Sequence, residues 1–210
     1  MKTMYYNEKT AARVIKSMLN TGKEDTRPFR HHVWIDNQGR QCSCDGYRAY
    51  RLAKPVAGLP DTDASQGINL EKVYPTPATL ADYSLLELPS LDEIKAMIAE
   101  DNAAQKGTAV KHRQYIYTFG TDAMGRLLPA VDLRYLADMM TVFPDAVAYC
   151  KPNQILSALY FEGPNGDGLL MPCKPNTNAD KRRIPPAPKT KADPIPVYGL
   201  RTFIALAANA

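Results

Sequence analysis

Cys44-Asp45-Gly46-Tyr47-Arg48-Ala49-Tyr50-Arg51-Leu52 sets an Asp-Gly pair between two segments of strand character. Asp-Gly is a strong hairpin signal, because a tight two-residue turn needs positive φ and Gly supplies it without steric cost. A turn at Asp45 and Gly46 is expected. In the strand after it, Tyr47, Ala49 and Arg51 share one face while Arg48, Tyr50 and Leu52 share the other. Each face mixes ring, stem and charge, which suits a partly exposed surface. Taken alone, the stretch is a surface hairpin with Asp45 as its turn residue.

Upstream, residues 8–20 carry Ala11, Val14, Ile15, Met18 and Leu19 at spacings of three and four, the stripe of an amphipathic helix. Lys9, Arg13 and Lys16 form a basic ridge opposite that stripe. As a pattern alone such a ridge is an ordinary solvated face. Strands are expected at 30–36, 40–44 and 47–54, joined by the Asn37-Gln38-Gly39 turn and the Asp-Gly hairpin into an antiparallel meander. Trp34 and His32 lie on one face of the first strand, Val33 and Ile35 on the other, and one of these faces is expected to be core. His31 and His32 have no metal-ligand partner at a helical or finger-like spacing, even with Cys42 and Cys44 nearby, so no metal is expected.

Downstream, residues 55–89 are rich in Pro, Gly, Asp and Thr and read as a connector, with one short strand candidate at 68–74. Ser90 and Glu93 make a capping box for a second helix reaching about Ala104, whose Leu91, Ile94, Met97 and Ile98 pack inward. Strands follow at 113–119 and 126–130, then a helix at 132–143 stopped by Pro144, then strands at 146–150, 155–162 and 168–173. The order helix, strand, strand, strand thus occurs twice, at 8–54 and at 132–173, which predicts an α+β fold of duplicated βαβββ units with antiparallel sheets and helices on one side. The domain is expected over 1–174, with halves at about 1–56 and 110–174, and 57–109 between them.

The 210-residue chain carries a formal charge of +4, and six basic against two acidic residues from Pro175 onward account for all of it. A neutral body is not the surface of a protein coated for nucleic acid, although it permits a local basic stripe. The tail at 175–210 holds Pro185, Pro186, Pro188, Pro194 and Pro196 among its cations and reads as a flexible arm, with an apolar stretch at 198–206 able to dock. No apolar run approaches membrane-spanning length and the N-terminal residues lack a secretory apolar core, so a cytoplasmic protein with reduced thiols is expected and no membrane contact. No Ser-His-Asp or Cys-His arrangement and no phosphate-cradling Gly loop is suggested; the expectation is a non-enzyme without cofactors.

Two segments together resemble one family. Cys44-Asp45-Gly46-Tyr47-Arg48 and its strand resemble the T-D-G-H-R-L segment of bacterial DNA polymerase III β subunits, the sliding clamps. Val131-Asp132-Leu133-Arg134-Tyr135-Leu136-Ala137-Asp138-Met139-Met140, with the ending Leu169-Leu170-Met171-Pro172-Cys173-Lys174, resembles that family's F-N-x-x-Y-L-x-D-x-L helix and M-P-M-R terminus. Ile68-Asn69-Leu70-Glu71-Lys72-Val73-Tyr74-Pro75 is similar to its F-P-D-Y-x-x-x-x-P linker.

The resemblance implies a DNA-clamp-like, processivity-factor domain acting in DNA replication, with helices facing duplex DNA and partners docking through short peptides. It implies a partner-peptide pocket walled by Asp45, Gly46, Tyr47, Arg48 and Ala49 on one side and Met171, Pro172, Cys173 and Lys174 on the other. Tyr47, Ala49 and Cys173 replace His, Leu and Met of the family pattern, which makes the pocket shallower. Partners implied are duplex DNA, met without sequence preference by Lys9, Arg13 and Lys16, and a polymerase or other replication proteins. A ring of such single domains needs six copies, closed head to tail through edge strands, which would bring Asp45 of one copy near Met171 of the next. The alternative is a protein-interaction module that keeps the clamp fold without encircling DNA. Gly199-Leu200-Arg201-Thr202-Phe203 is similar to the Q-L-x-L-F peptide that clamps accept, without its Gln.

Overall fold

The computed structural model describes residues 6–19, 27–60, 67–104, 106 and 115–173. Its helices are α1 (Glu8–Met18), α2 (Pro77–Leu80), α3 (Leu91–Ala104) and α4 (Leu133–Val142). Its strands are β1 (Trp34–Ile35), β2 (Gln41–Cys44), β3 (Arg48–Leu52), β4 (Ser84–Leu86), β5 (Ile116–Thr118), β6 (Ala130–Asp132), β7 (Val147–Cys150), β8 (Leu159–Gly163) and β9 (Gly166–Leu170). The fold is α+β, with a seven-stranded antiparallel sheet and a separate two-stranded one. Among the described residues no helix is long and apolar enough to cross a membrane.

The helices start where side chains can take up their unpaired N–H groups. Asn7 accepts from Thr10 N at 3.0 Å, and Asp132 accepts from Arg134 N at 2.9 Å. Ser90 and Glu93 exchange the bonds of the expected capping box. Ala11, Val14, Ile15 and Met18 of α1 and Leu133, Leu136, Met139 and Val142 of α4 are buried, as their spacing requires.

The large sheet runs β1-β2-β3-β9-β8-β7-β4. Two meanders, one after α1 and one after α4, meet where β3 pairs with β9, from Arg48 opposite Leu170 to Leu52 opposite Gly166. The hairpin turn lies one residue later than expected, with Asp45 N donating to Arg48 O at 3.1 Å and Gly46 at φ 88°. Asp45 Oδ1 instead accepts from Tyr47 N and Arg48 N at 2.8 and 2.7 Å, so its side chain closes the loop and shifts the centre to Gly46-Tyr47.

Two further expectations are corrected. The strand at 47–54 is not half-exposed: every residue of β3 is buried. On one face Tyr50 and Leu52 join Ile15, Val33, Ile94, Leu136, Met139 and Phe161 beneath α1, α3 and α4. On the other, Ala49 joins Trp34, Cys42, Cys44, Leu70, Tyr74, Tyr160 and Leu169. Both faces of the Trp34 strand are therefore core. The second correction follows from the first, because residues 68–83 are a cover for this second face rather than a connector, and residues 84–86 add β4 to the sheet. The strand expected at 68–74 is a 3-10 turn, Leu70–Lys72, capped by Asn69. It drops Tyr74 onto β3, where the hydroxyl donates to Ala49 O at 3.1 Å and the ring lies 3.5 Å from the Arg51 guanidinium. Arg51 also holds Asp167 of β9, with Nε at 2.7 Å from Oδ1. Each charge in β3 is thus neutralised in place, which is what allows so polar a strand to be central.

β9 imposes a backbone constraint of its own. Gly166 has φ 132°, and a Cβ there would stand 2.1 Å from Arg51 O. Gly166→Ala should lower stability by about 3 kcal/mol, since both the backbone conformation and the neighbouring strand resist it. Urea unfolding checks this as a lower midpoint at unchanged slope.

Candidate functional site

The two landmark segments meet within a single chain. Because β3 and β9 are neighbours, the loop before one and the exit of the other are adjacent, and Met171 N donates to Tyr47 O at 2.8 Å. Cys173 N then donates to Ala130 O at 2.7 Å, stitching the exit to β6. No second copy is needed to bring residue 45 near residue 171, contrary to the head-to-tail expectation. Lys174 lies outside the described residues.

The expected pocket residues divide by exposure. Asp45, Arg48 and Ala49 are buried, and Ala49 faces the second core. Tyr47 and Met171 are the apolar groups presented to solvent, 55% and 43% exposed, beside Gly46 and the half-buried Pro172 and Cys173. Ala49 is therefore a packing residue rather than a wall of the site.

Sequence reasoning missed the floor, which α4 supplies. Tyr135 stacks on Tyr47 with ring centroids 5.8 Å apart and planes inclined by 26°. The Arg48 guanidinium lies 4.4 Å from the Tyr135 ring centre. Its Nε and Nη2 donate to Asp45 Oδ2 at 3.1 and 2.9 Å, and its Nη1 donates to Asp138. Arg134 bonds Asp132 through Nε and Nη2, at 3.1 and 2.7 Å, and lies 4.6 Å from the buried Tyr115 ring. Asp132, Tyr135 and Asp138 recur every three residues, so they line one side of α4. That spacing was the available signal.

Three carboxylates thus share two guanidinium groups. Burial works against the Arg48 charge, but the Asp45 and Asp138 carboxylates outweigh it and hold the guanidinium above its ordinary pKa. Burial raises the Asp138 carboxyl above its usual value, with Arg48 offsetting only part of that cost. Tyr135 is raised by burial and then by Asp45. The result is an apolar tyrosine-methionine rim over a fixed, slightly acidic base.

Lys9, Arg13 and Lys16 are all exposed along α1, which packs beside α4. Arg134, the cation that α4 adds, is already paired with Asp132. A cleft of about 230 Å³ lies at the β1 edge of the sheet, lined by residues 34–37 and 67–71 and by Cys42. Its carboxylates are engaged: Asp36 with Arg40 at 2.7 Å and Glu71 with Gln38 at 2.6 Å. Among the described residues no group of three or more His, Cys, Asp or Glu is arranged to hold a metal ion. The four cysteines are free, and burial pushes the Cys42 thiol up to about 12, where it is protonated and unreactive. Searches of family models, of curated proteins and of solved structures found no match to this chain.

Arg48→Met removes the shared counter-charge and leaves Asp45 facing a buried void of positive charge. It should cost about 3–5 kcal/mol. Arg48→Lys keeps the charge without the fork and should fall between the two in denaturant unfolding.

Proposed function

We propose that this chain is a non-enzymatic, DNA-clamp-like accessory protein of DNA replication. It docks replication partners through short peptides at the junction of residues 45–48 with 171–173, and meets duplex DNA through the α1 ridge. The observation that carries the reading is the direct contact between the two segments that carry the resemblance, Met171 N to Tyr47 O. Their adjacency was not implied by their separation in sequence. The mirrored strand order, β1-β2-β3 against β7-β8-β9, and the packing of α1 against α4 support a duplicated βαβββ plan. Lys9, Arg13 and Lys16 supply charge without shape, which suits phosphate contact independent of sequence. The outer edges of β1 and β4 are where head-to-tail copies would pair.

A second reading, a protein-interaction module that does not encircle DNA, is favoured by one feature. α3 also packs against α4 and presents the exposed Asp92, Glu93 and Glu100 against one exposed cation, Lys95. A duplex laid across the helices would meet cations on α1 and carboxylates on α3, so half of the expected lining is of the wrong sign.

Fluorescence anisotropy of labelled duplex DNA with the full chain separates the two. The clamp-like reading expects binding that weakens as salt rises, and a Lys9→Ala/Arg13→Ala/Lys16→Ala variant whose log–log salt slope is shallower by about 2–3. Absence of binding at low salt, together with a monomeric solution mass, leaves the interaction module.

A further inference from the structure

We propose that the outer edge of β4 is a docking site for this chain's own C-terminal residues 197–206, added as an extended strand. The inference is separate from the junction described above and from any DNA contact.

β4 is the last strand of the large sheet, paired with β7 on one side. Among the described residues no strand lies along its other side, the condition for strand addition. Its surroundings are apolar. Leu85, at the middle of β4, is 67% exposed, and the segment that meets Ser84 through Arg126 carries the exposed Met124 and Leu127. They are held in place: Arg126 Nη2 lies 3.4 Å from Ser84 Oγ, and Leu127 exchanges bonds with Asn153 at 2.8 and 2.9 Å. Exposed side chains of this size grouped beside an open strand mark an interaction surface. The crevice between β4 and Phe119, Asp122 and Leu128 holds about 20 Å³, room for roughly one water, so an occupant lies along the edge rather than inserting a side chain.

The chain carries a segment that fits. Tyr198, Leu200, Thr202, Ile204 and Leu206 alternate, which in an extended strand sets them on one face, against Leu85. The described fold ends at Cys173, and residues 174–196 lie between it and this segment. At about 3.1 Å per residue that Pro-rich stretch reaches roughly 70 Å, beyond the diameter of a domain this size. Arg201, within the segment, is opposite in sign to the exposed Asp82 and Glu87 that flank the edge, of which Asp82 also lies 3.9 Å from Lys151. Docked there, the segment competes with a neighbouring copy for the edge that head-to-tail assembly needs.

Hydrogen exchange of the full chain, followed by mass spectrometry, tests this without DNA or partner peptide. In Leu200→Asp/Ile204→Asp, the amides of 84–87 should exchange about ten-fold faster than in the wild type, while those of β3 are unchanged. Leu85→Asp should speed exchange at 198–206 in the same way. Equal rates at 84–87 in wild type and variant overturn the proposal. So does protection that grows with protein concentration, which assigns the edge to a second copy.

Discussion

The guanidinium of Arg48 is the point at which the two halves of this chain are fastened. It holds Asp45 in the hairpin of the first half and Asp138 on α4 of the second, while the strand that carries it pairs with β9. A buried ion group of this kind adds little net stability over an apolar substitute, but it penalises alternatives. A one-residue slip of β3 against its neighbours would turn Arg48 to the face of Trp34 and Tyr74 and bring Ala49 beneath α4. Arg51, fixed by Asp167 and Tyr74 on the opposite face, imposes the same register from the other side. Two arginines in one central strand, pointing opposite ways, each with a carboxylate from the second half, make the sheet continuous in one alignment.

What could be read from the sequence followed what local chemistry dictates. The Ser90/Glu93 box, the stripe of α1, the Pro144 stop and the order of the two strand triplets depend on neighbours in the chain, and they appear as expected. The centrality of β3 was hidden because its burial relies on partners 25 to 116 residues away, Tyr74 for Ala49 and Asp167 for Arg51. A strand reading Arg-Ala-Tyr-Arg-Leu looks half-solvated until those partners are known. Residues 68–83 resembled a connector for a related reason, since a cover built of short turns has no period to detect. At the junction the loop and the exit lie side by side within one chain, and the floor on α4 was hidden because the partners of Tyr135 and Asp138, Tyr47 and Arg48, stand about 90 residues earlier in the sequence.

The fold distributes charge unevenly over its helical layer. α1 presents three cations against Glu8, α4 pairs its exposed arginine internally, and α3 presents Asp92, Glu93 and Glu100 against Lys95. On the proposed reading, a surface so divided would orient a polyanion along α1 rather than across all three helices. The tyrosine-methionine rim at the junction is exposed and lies apart from that ridge of cations. The proposed partner docking and the proposed DNA contact would therefore use separate features of one sheet-and-helix body, the first on α4 and the second on α1 packed against it.

The junction and the continuous sheet both require β3 and β9 to join the halves into one cooperative unit. Native-state hydrogen exchange in low denaturant measures this directly. The account predicts that amides of β3 and β9 open only with global unfolding and share one free energy and one denaturant slope. Two distinct tiers, one for the strands of the first half and another for those of the second, would contradict it.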